Sequence, residues 1–218
     1  MKKEKQIFKL SPSSLNLFRE CSRCFWLDKR GVWKRPSGAF PSLTRGMDIA
    51  LKNYFDNYLE KGRIPPEIAD TGCKLFNDQE LLKAWRNNLR GIRWQDAEGN
   101  ILFGAIDNLL TKAKKLVVLD YKTRGFEIKN DTAEKYQLQL DIYNLLLRKN
   151  GYLTEDYAFL LFYIPREASE NGLVLFETKL VMIHINVHNA ENVFQDAIAL
   201  LNKECPIETC NWCKNFEL

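Results

Sequence analysis

The sequence predicts an α/β domain with a mixed central sheet, a mainly helical N-terminal region and a cysteine cluster joining the N- and C-terminal segments. Three observations carry this. Apolar residues repeat at helical spacing through the first part of the chain, then give way to strand-like runs from Ile101 onward. One well-marked helix follows those runs and precedes two further strands. A C-x-x-C pair stands near each end of the chain. At 218 residues and 25.5 kDa the chain suits one core rather than two full-sized domains. Residues 1–218 are therefore read as a single domain, with a mainly helical region over 1–95, an α/β core over 96–188, and a helix and Cys-rich tail over 189–218.

Ser11-Pro12 is a helix start, with Ser at the cap and Pro at the first helical position; Leu15, Phe18 and Phe25 continue an apolar face, so one helix is expected to carry both Cys21 and Cys24. Residues 31–42 hold two Gly and two Pro and read as a loop. Met47, Leu51, Tyr54, Phe55 and Tyr58 then mark a second helix that ends near Gly62. A third helix is expected over 79–90, after the Pro65-Pro66 connection. Strands follow over Ile101–Thr111 and Lys115–Tyr121. The helix over 131–150 has a capping-box-like start at Asp131 and Glu134, an apolar face through Tyr136, Leu140, Tyr143 and Leu147, and a stop at Gly151. Ala158–Ile164 is apolar on both parities, as in a strand buried on two faces, and Pro165 is expected to end it. A strand over Leu173–Ile185 and a helix over about 190–203 complete the order.

Lys and Arg number 32 against 28 Asp and Glu, a formal charge of +4. That is too small for a polycation tail, so nucleic-acid binding must rest on a local site. The basic N-terminus lacks the apolar run of a signal peptide, and no stretch approaches the roughly 18 to 20 apolar residues of a membrane span. The expectation is a cytoplasmic protein with no membrane partner. In that setting six cysteines would act as buried small hydrophobes or metal ligands rather than as a disulfide scaffold.

Chemistry concentrates in Gly104–Leu110 and Val117–Thr123. If the hairpin between them closes symmetrically at Ala113 and Lys114, opposed residue numbers sum to 113 + 114 = 227, and 107 + 120 = 227. Asp107 then faces Asp120. Two facing carboxylates on one side of a sheet repel, and a divalent cation between them removes that cost. Lys122, two residues beyond Asp120, falls on the same face. Two carboxylates and an ammonium converge.

Gly104-Ala105-Ile106-Asp107, Asp120-Tyr121-Lys122-Thr123 and Gln139-Leu140-Asp141-Ile142-Tyr143, in that order, resemble the three motifs of the PD-(D/E)XK nuclease superfamily. Within it they are similar to the RecB-like group, which includes CRISPR-associated exonucleases. Leu10–Leu15 through Cys21-Ser22-Arg23 also resembles that group's N-terminal segment. The resemblance implies a restriction-endonuclease-like core and metal-dependent DNA hydrolysis, as an exonuclease or DNA-end-processing enzyme. It implies Mg²⁺ or Mn²⁺ held by Asp107 and Asp120, with the Tyr121 carbonyl as a further oxygen ligand. Lys122 would orient or activate the attacking water, and Gln139 and Tyr143, four apart on a helix, would brace Lys122 or contact the backbone of DNA. Arg19, Arg23, Arg124 and Lys135 are candidate phosphate contacts, and a protein partner in a DNA-processing complex is a further implication. The group places a metal-binding His four residues after a helical Gly. Counted from Gly46, that position is Ala50. Asp48 lies about 200° from it around the helix. The alternatives are a one-metal nuclease, a nuclease using another acid, and a non-cleaving DNA- or protein-binding module on the same fold. His184 and His188 read as a strand residue and a capping or surface group.

Cys21-Ser22-Arg23-Cys24 and Cys210-Asn211-Trp212-Cys213 form a four-sulfur set suited to Zn²⁺ or an iron–sulfur cluster. Cys73 and Cys205 are left over. The resemblance favours a [4Fe–4S] cluster stapling the chain ends, with structural Zn²⁺ as the alternative cofactor, and offers Cys205 as an alternative ligand beside Cys21, Cys210 and Cys213. A thiol-based redox or zinc-dependent interaction protein is the rival reading; it predicts that Asp107 and Asp120 do not converge.

Overall fold

The computed structural model describes residues 6–36, 38, 42–129 and 131–216. Part of the expected 31–42 loop, residues 37 and 39–41, lies outside these. The chain runs β1 (Lys9–Leu10), α1 (Pro12–Glu20), α2 (Ser22–Lys29), α3 (Ser42–Glu60), β2 (Lys74–Leu75), α4 (Gln79–Trp85), β3 (Ile92–Gln95), β4 (Ile101–Gly104), β5 (Asn108–Lys112), β6 (Lys115–Thr123), α5 (Gln137–Lys149), β7 (Tyr157–Ala168), β8 (Val174–His184) and α6 (Val187–Leu201), with short 3₁₀ turns at Pro66–Thr71 and Glu134–Tyr136. No described helix is long and apolar enough to cross a membrane.

Five strands form the main sheet in the order β2-β5-β6-β7-β8, and β1, β4 and β3 form a smaller sheet beside it. β6 and β7 run parallel and the other main-sheet pairs antiparallel, so the sheet is mixed. The parallel pair needs a crossover, which α5 supplies. β6 is central: Leu116 to Tyr121 are buried without interruption. Its even residues Leu116 and Val118 pack towards α1, α5 and α6, while Val117, Leu119 and Tyr121 pack towards α3 through Leu51 and Phe55. A strand covered on both faces loses the polar alternation of a half-exposed one.

Several expectations are corrected. The first helix is two helices, because Cys21 is extended (φ −160°, ψ 107°): it ends α1 and caps α2, its sulfur accepting from the Cys24 N–H at 3.4 Å. The expected 79–90 helix stops at Trp85. The strand over 101–111 breaks at residues 105–107 and continues in a different sheet. The expected capping box at Asp131 does not form; residues 131–136 make turns, and α5 begins at Gln137. Pro165 does not end β7, because a register shift between Pro165 and Glu167 lets the strand run on to Ala168. A proline at a bulge takes no donor from the ladder.

Candidate active site

The β5–β6 hairpin closes through Ala113 and Lys114, both at positive φ (45° and 72°). Its register runs from Lys112↔Lys115 to Asn108↔Leu119, so every pair sums to 227. Asp107 leaves the strand one residue before Asn108 and stays beside Asp120: its Oδ2 accepts from the Tyr121 backbone N–H at 3.3 Å. The Tyr121 ring points to the opposite face, where Asn108 donates to its hydroxyl at 2.6 Å.

Asp120 lies within the buried run of β6 and is 1% exposed. Lys122, on the same strand face, forms an ion pair with Asp120 Oδ2. Its Nζ also lies 3.5 Å from Gln139 Oε1 and 4.6 Å from the centre of the Tyr136 ring. Gln139 Nε2 donates to Asp120 Oδ1 and to the Tyr143 hydroxyl, each at 2.9 Å. One amide thus ties the carboxylate, the ammonium and the phenol together. Burial pushes the Asp120 carboxyl up to about 7 against the opposing pull of Lys122, with Asp107 adding to the rise. Burial works against the charge on Lys122, but Asp120 and Asp107 hold it above the usual lysine range. Burial raises the Tyr143 phenol well above its ordinary value, so it serves as a hydrogen-bonding group.

The glycine of Gly104-Ala105-Ile106-Asp107 has a packing reason. A Cβ at Gly104 would lie 2.7 Å from Tyr143 Cε1 and 3.0 Å from its Cδ1. The bare backbone lets the Tyr143 ring lie flush against the chain just before Asp107. Asp141, inside the same helical motif, plays a different part. Fully buried, it accepts from Gln137 and the Asn186 N–H at 2.8 Å and from Asn189 at 2.9 Å, tying α5 to the start of α6.

α3 carries Ala50, the position at which the resemblance places a metal-binding His. Ala50 is exposed, whereas Lys52, which sequence reasoning missed, reaches the site. Its Nζ lies 2.8 Å from Asp48 Oδ2 and 3.0 Å from Asp107 Oδ1. One turn further on, Asp56 pairs with Arg86 at 2.7 Å, and Arg86 Nε donates to the Asp107 carbonyl at 2.7 Å. The signal was the four-residue spacing of Asp48, Lys52 and Asp56 on one helix face.

The supposed phosphate contacts divide. Arg23 turns to the C-terminal tail, donating to Pro206 O at 2.8 Å and Phe216 O at 3.2 Å. Lys135 is exposed beside Asp131, Arg19 is exposed, and Arg124 is half-buried with its N–H on Tyr163 O. His184 is an exposed strand residue and His188 lies in the first turn of α6.

Away from this site, Cys21, Cys24, Cys210 and Cys213 bring their four sulfurs within 4.8 Å of one another. The closest pairs are Cys24–Cys210 at 3.5 Å, Cys210–Cys213 at 3.8 Å and Cys21–Cys213 at 3.9 Å. Cys205 stays outside the set, 3.6 Å from an Arg23 nitrogen, and Cys73 is buried against the α3 face of the sheet.

No curated protein matches the sequence. Among solved structures, the crystal structure of SSO0001 aligns with a TM-score of 0.46 and 14% identity, over 95% of this chain and 82% of that one. The profile of the PD-(D/E)XK nuclease superfamily matches residues 41–215, a span that holds Asp107, Asp120, Lys122, Gln139 and Tyr143 in order. The chain belongs to the PD-(D/E)XK nuclease superfamily.

Proposed function

We propose that the protein is a divalent-metal-dependent deoxyribonuclease of the RecB-like kind, hydrolysing phosphodiesters at DNA ends. The observation that carries this reading is the convergence of Asp107, Asp120 and Lys122 at one end of β6, braced by Gln139 from α5. Asp107 and Asp120, with the Tyr121 carbonyl, would hold Mg²⁺ or Mn²⁺; all offer hard oxygen donors, and the buried Asp120 carboxylate needs a cation to stay charged. The bound ion would supply Lewis acidity towards the phosphate. Lys122 then serves as a fixed ammonium that orients the attacking water and faces the charge developing on the phosphoryl oxygens. Gln139 keeps that ammonium and the Asp120 carboxylate in one register, and Tyr143 fixes Gln139.

Labelled single- and double-stranded DNA incubated with Mn²⁺ or Mg²⁺, beside an Asp120→Ala control, tests this. Metal-dependent cleavage at least about a hundredfold above the control is expected; cleavage equal to the control's overturns the enzymatic reading. One observation favours the second reading, a non-cleaving DNA- or protein-binding module: α3 presents exposed Ala50 and places a lysine between Asp48 and Asp107.

The four-cysteine set supports a structural metal at the joined chain ends. Bonds of about 2.3 Å from zinc to four sulfurs give a tetrahedron with edges of about 3.8 Å. The sulfur pairs at 3.5, 3.8 and 3.9 Å fit that edge. A [4Fe–4S] cubane interposes four irons and four sulfides and holds its cysteine sulfurs further apart than this, so the short sulfur separations support zinc over the cluster. Zinc is the cofactor proposed here.

A further inference from the structure

The acids at the Asp120 end of the sheet are not equally free to hold a metal. Asp120 is engaged by Lys122 and Gln139. Asp56 is neutralised by Arg86. Asp48 and one oxygen of Asp107 share Lys52, whose Nζ stands 2.8 Å from the first and 3.0 Å from the second. One oxygen from each of two carboxylates on a single point of positive charge is the arrangement a bridging divalent ion would make.

Lys52 is held there. It lies one turn beyond Asp48 on α3, a helix anchored by buried Leu51 and Phe55, and its side chain is only 19% exposed. Every acid that α3 turns towards the site therefore already has a cation.

We propose that Lys52 is a built-in monovalent cation filling the position between Asp48 and Asp107, so that the centre binds one divalent ion, on the Asp107–Asp120 side, and Asp48 serves the lysine rather than the metal. This rests on the reading of Asp107 and Asp120 as metal ligands. Charge counting agrees with it. Three carboxylates (Asp48, Asp107, Asp120) and two ammonium groups (Lys52, Lys122) sum to −1. One divalent ion brings the centre to +1, matched to an arriving phosphodiester anion. A second would bring it to +3 and set a divalent ion against the Lys52 ammonium, where both would repel across a partly buried site.

The test is the Mn²⁺ stoichiometry of the whole chain with its cysteine centre loaded, measured by isothermal titration and by electron paramagnetic resonance of the free ion. Ions belonging to this centre are those lost when Asp107→Asn is added to each variant. One ion is expected in the wild type and in Lys52→Arg. Two are expected in Lys52→Met, the second disappearing when Asp48→Asn is added. Asp48→Asn alone should keep one ion with affinity changed by less than about threefold, whereas loss of a ligand or its support costs about tenfold or more. That variant keeps the proposal testable even if Lys52→Met fails to fold. Two ions in the wild type, one in a folded Lys52→Met, or a tenfold loss in Asp48→Asn overturns the role of Lys52. No ion in the wild type overturns the metal centre itself, and this proposal with it.

Discussion

Gln139 is the residue on which the site's geometry turns. Its amide nitrogen touches Asp120 and Tyr143 and its oxygen faces Lys122. It need not touch substrate to matter, because it fixes where the carboxylate and the ammonium sit relative to each other. Gln139→Ala should lower kcat by about 10- to 100-fold with KM little changed, as for other residues that support ligands from behind. It should also lower stability by about 1–3 kcal/mol, since the buried Tyr143 hydroxyl loses its partner. Adding Tyr143→Phe to Gln139→Ala should recover much of that stability without recovering kcat. Parallel urea denaturation and steady-state DNA cleavage separate the two effects; a kcat that returns with stability would mean Gln139 is only structural.

At the scale of elements, the site depends on how closely α5 approaches the end of β4. Gly104 permits that approach, and Tyr143, only 6% exposed, has little room to retreat. Gly104→Ala should cost about 1–3 kcal/mol, as overpacking does, and should reduce cleavage by displacing Tyr143 and with it Gln139. Urea midpoints and cleavage rates check it; unchanged values for both would remove the packing role. Much of this element geometry was legible in the sequence. The hairpin register follows from a two-residue loop, although Ala113 and Lys114 lack the glycine that positive φ favours. The split at Cys21 was not legible, because a residue that caps one helix while ending another breaks no hydrophobic period. Nor was the start of α5, where Asp131 offers a cap signal that turns and a 3₁₀ segment override. Lys52 escaped notice because a charged ladder on an amphipathic helix looks the same whether it faces water or a site, and counting from Gly46 pointed to Ala50 instead.

Across the whole molecule, the four cysteines join segments that lie far apart in the chain, the Cys21–Cys213 pair spanning 192 residues. A cross-link closing a loop of that size is worth about 5 kcal/mol on the chain-entropy picture. The folded core recovers part of this without the metal, since α1 and α2 already pack on α6 and the Trp26 ring nitrogen donates to Lys203 O at 3.0 Å. The tail beyond Lys203 has thinner support, from a few polar and ring contacts. It meets α2 and the segment after it through Arg23, which reaches Pro206 and Phe216, through Arg35 beside Cys210 and the Trp212 ring, through the Trp33–Phe216 ring contact, and through the sulfurs themselves. Metal loss should therefore act locally first. Cys213→Ser, or extraction of the ion by a strong chelator, is expected to lower Tm by roughly 5–10 °C, corresponding to about 2–3 kcal/mol for a chain of this size. Limited proteolysis should then cut between Asn202 and Phe216 while the fragment carrying β5, β6 and α5 persists. Metal analysis supplies the companion measurement: one zinc per chain in a colourless protein, with about half or less retained in the variant. A brown protein carrying iron would overturn the zinc assignment. An unchanged Tm and an uncut tail after full metal removal would show that the paired cysteines do not staple the chain ends.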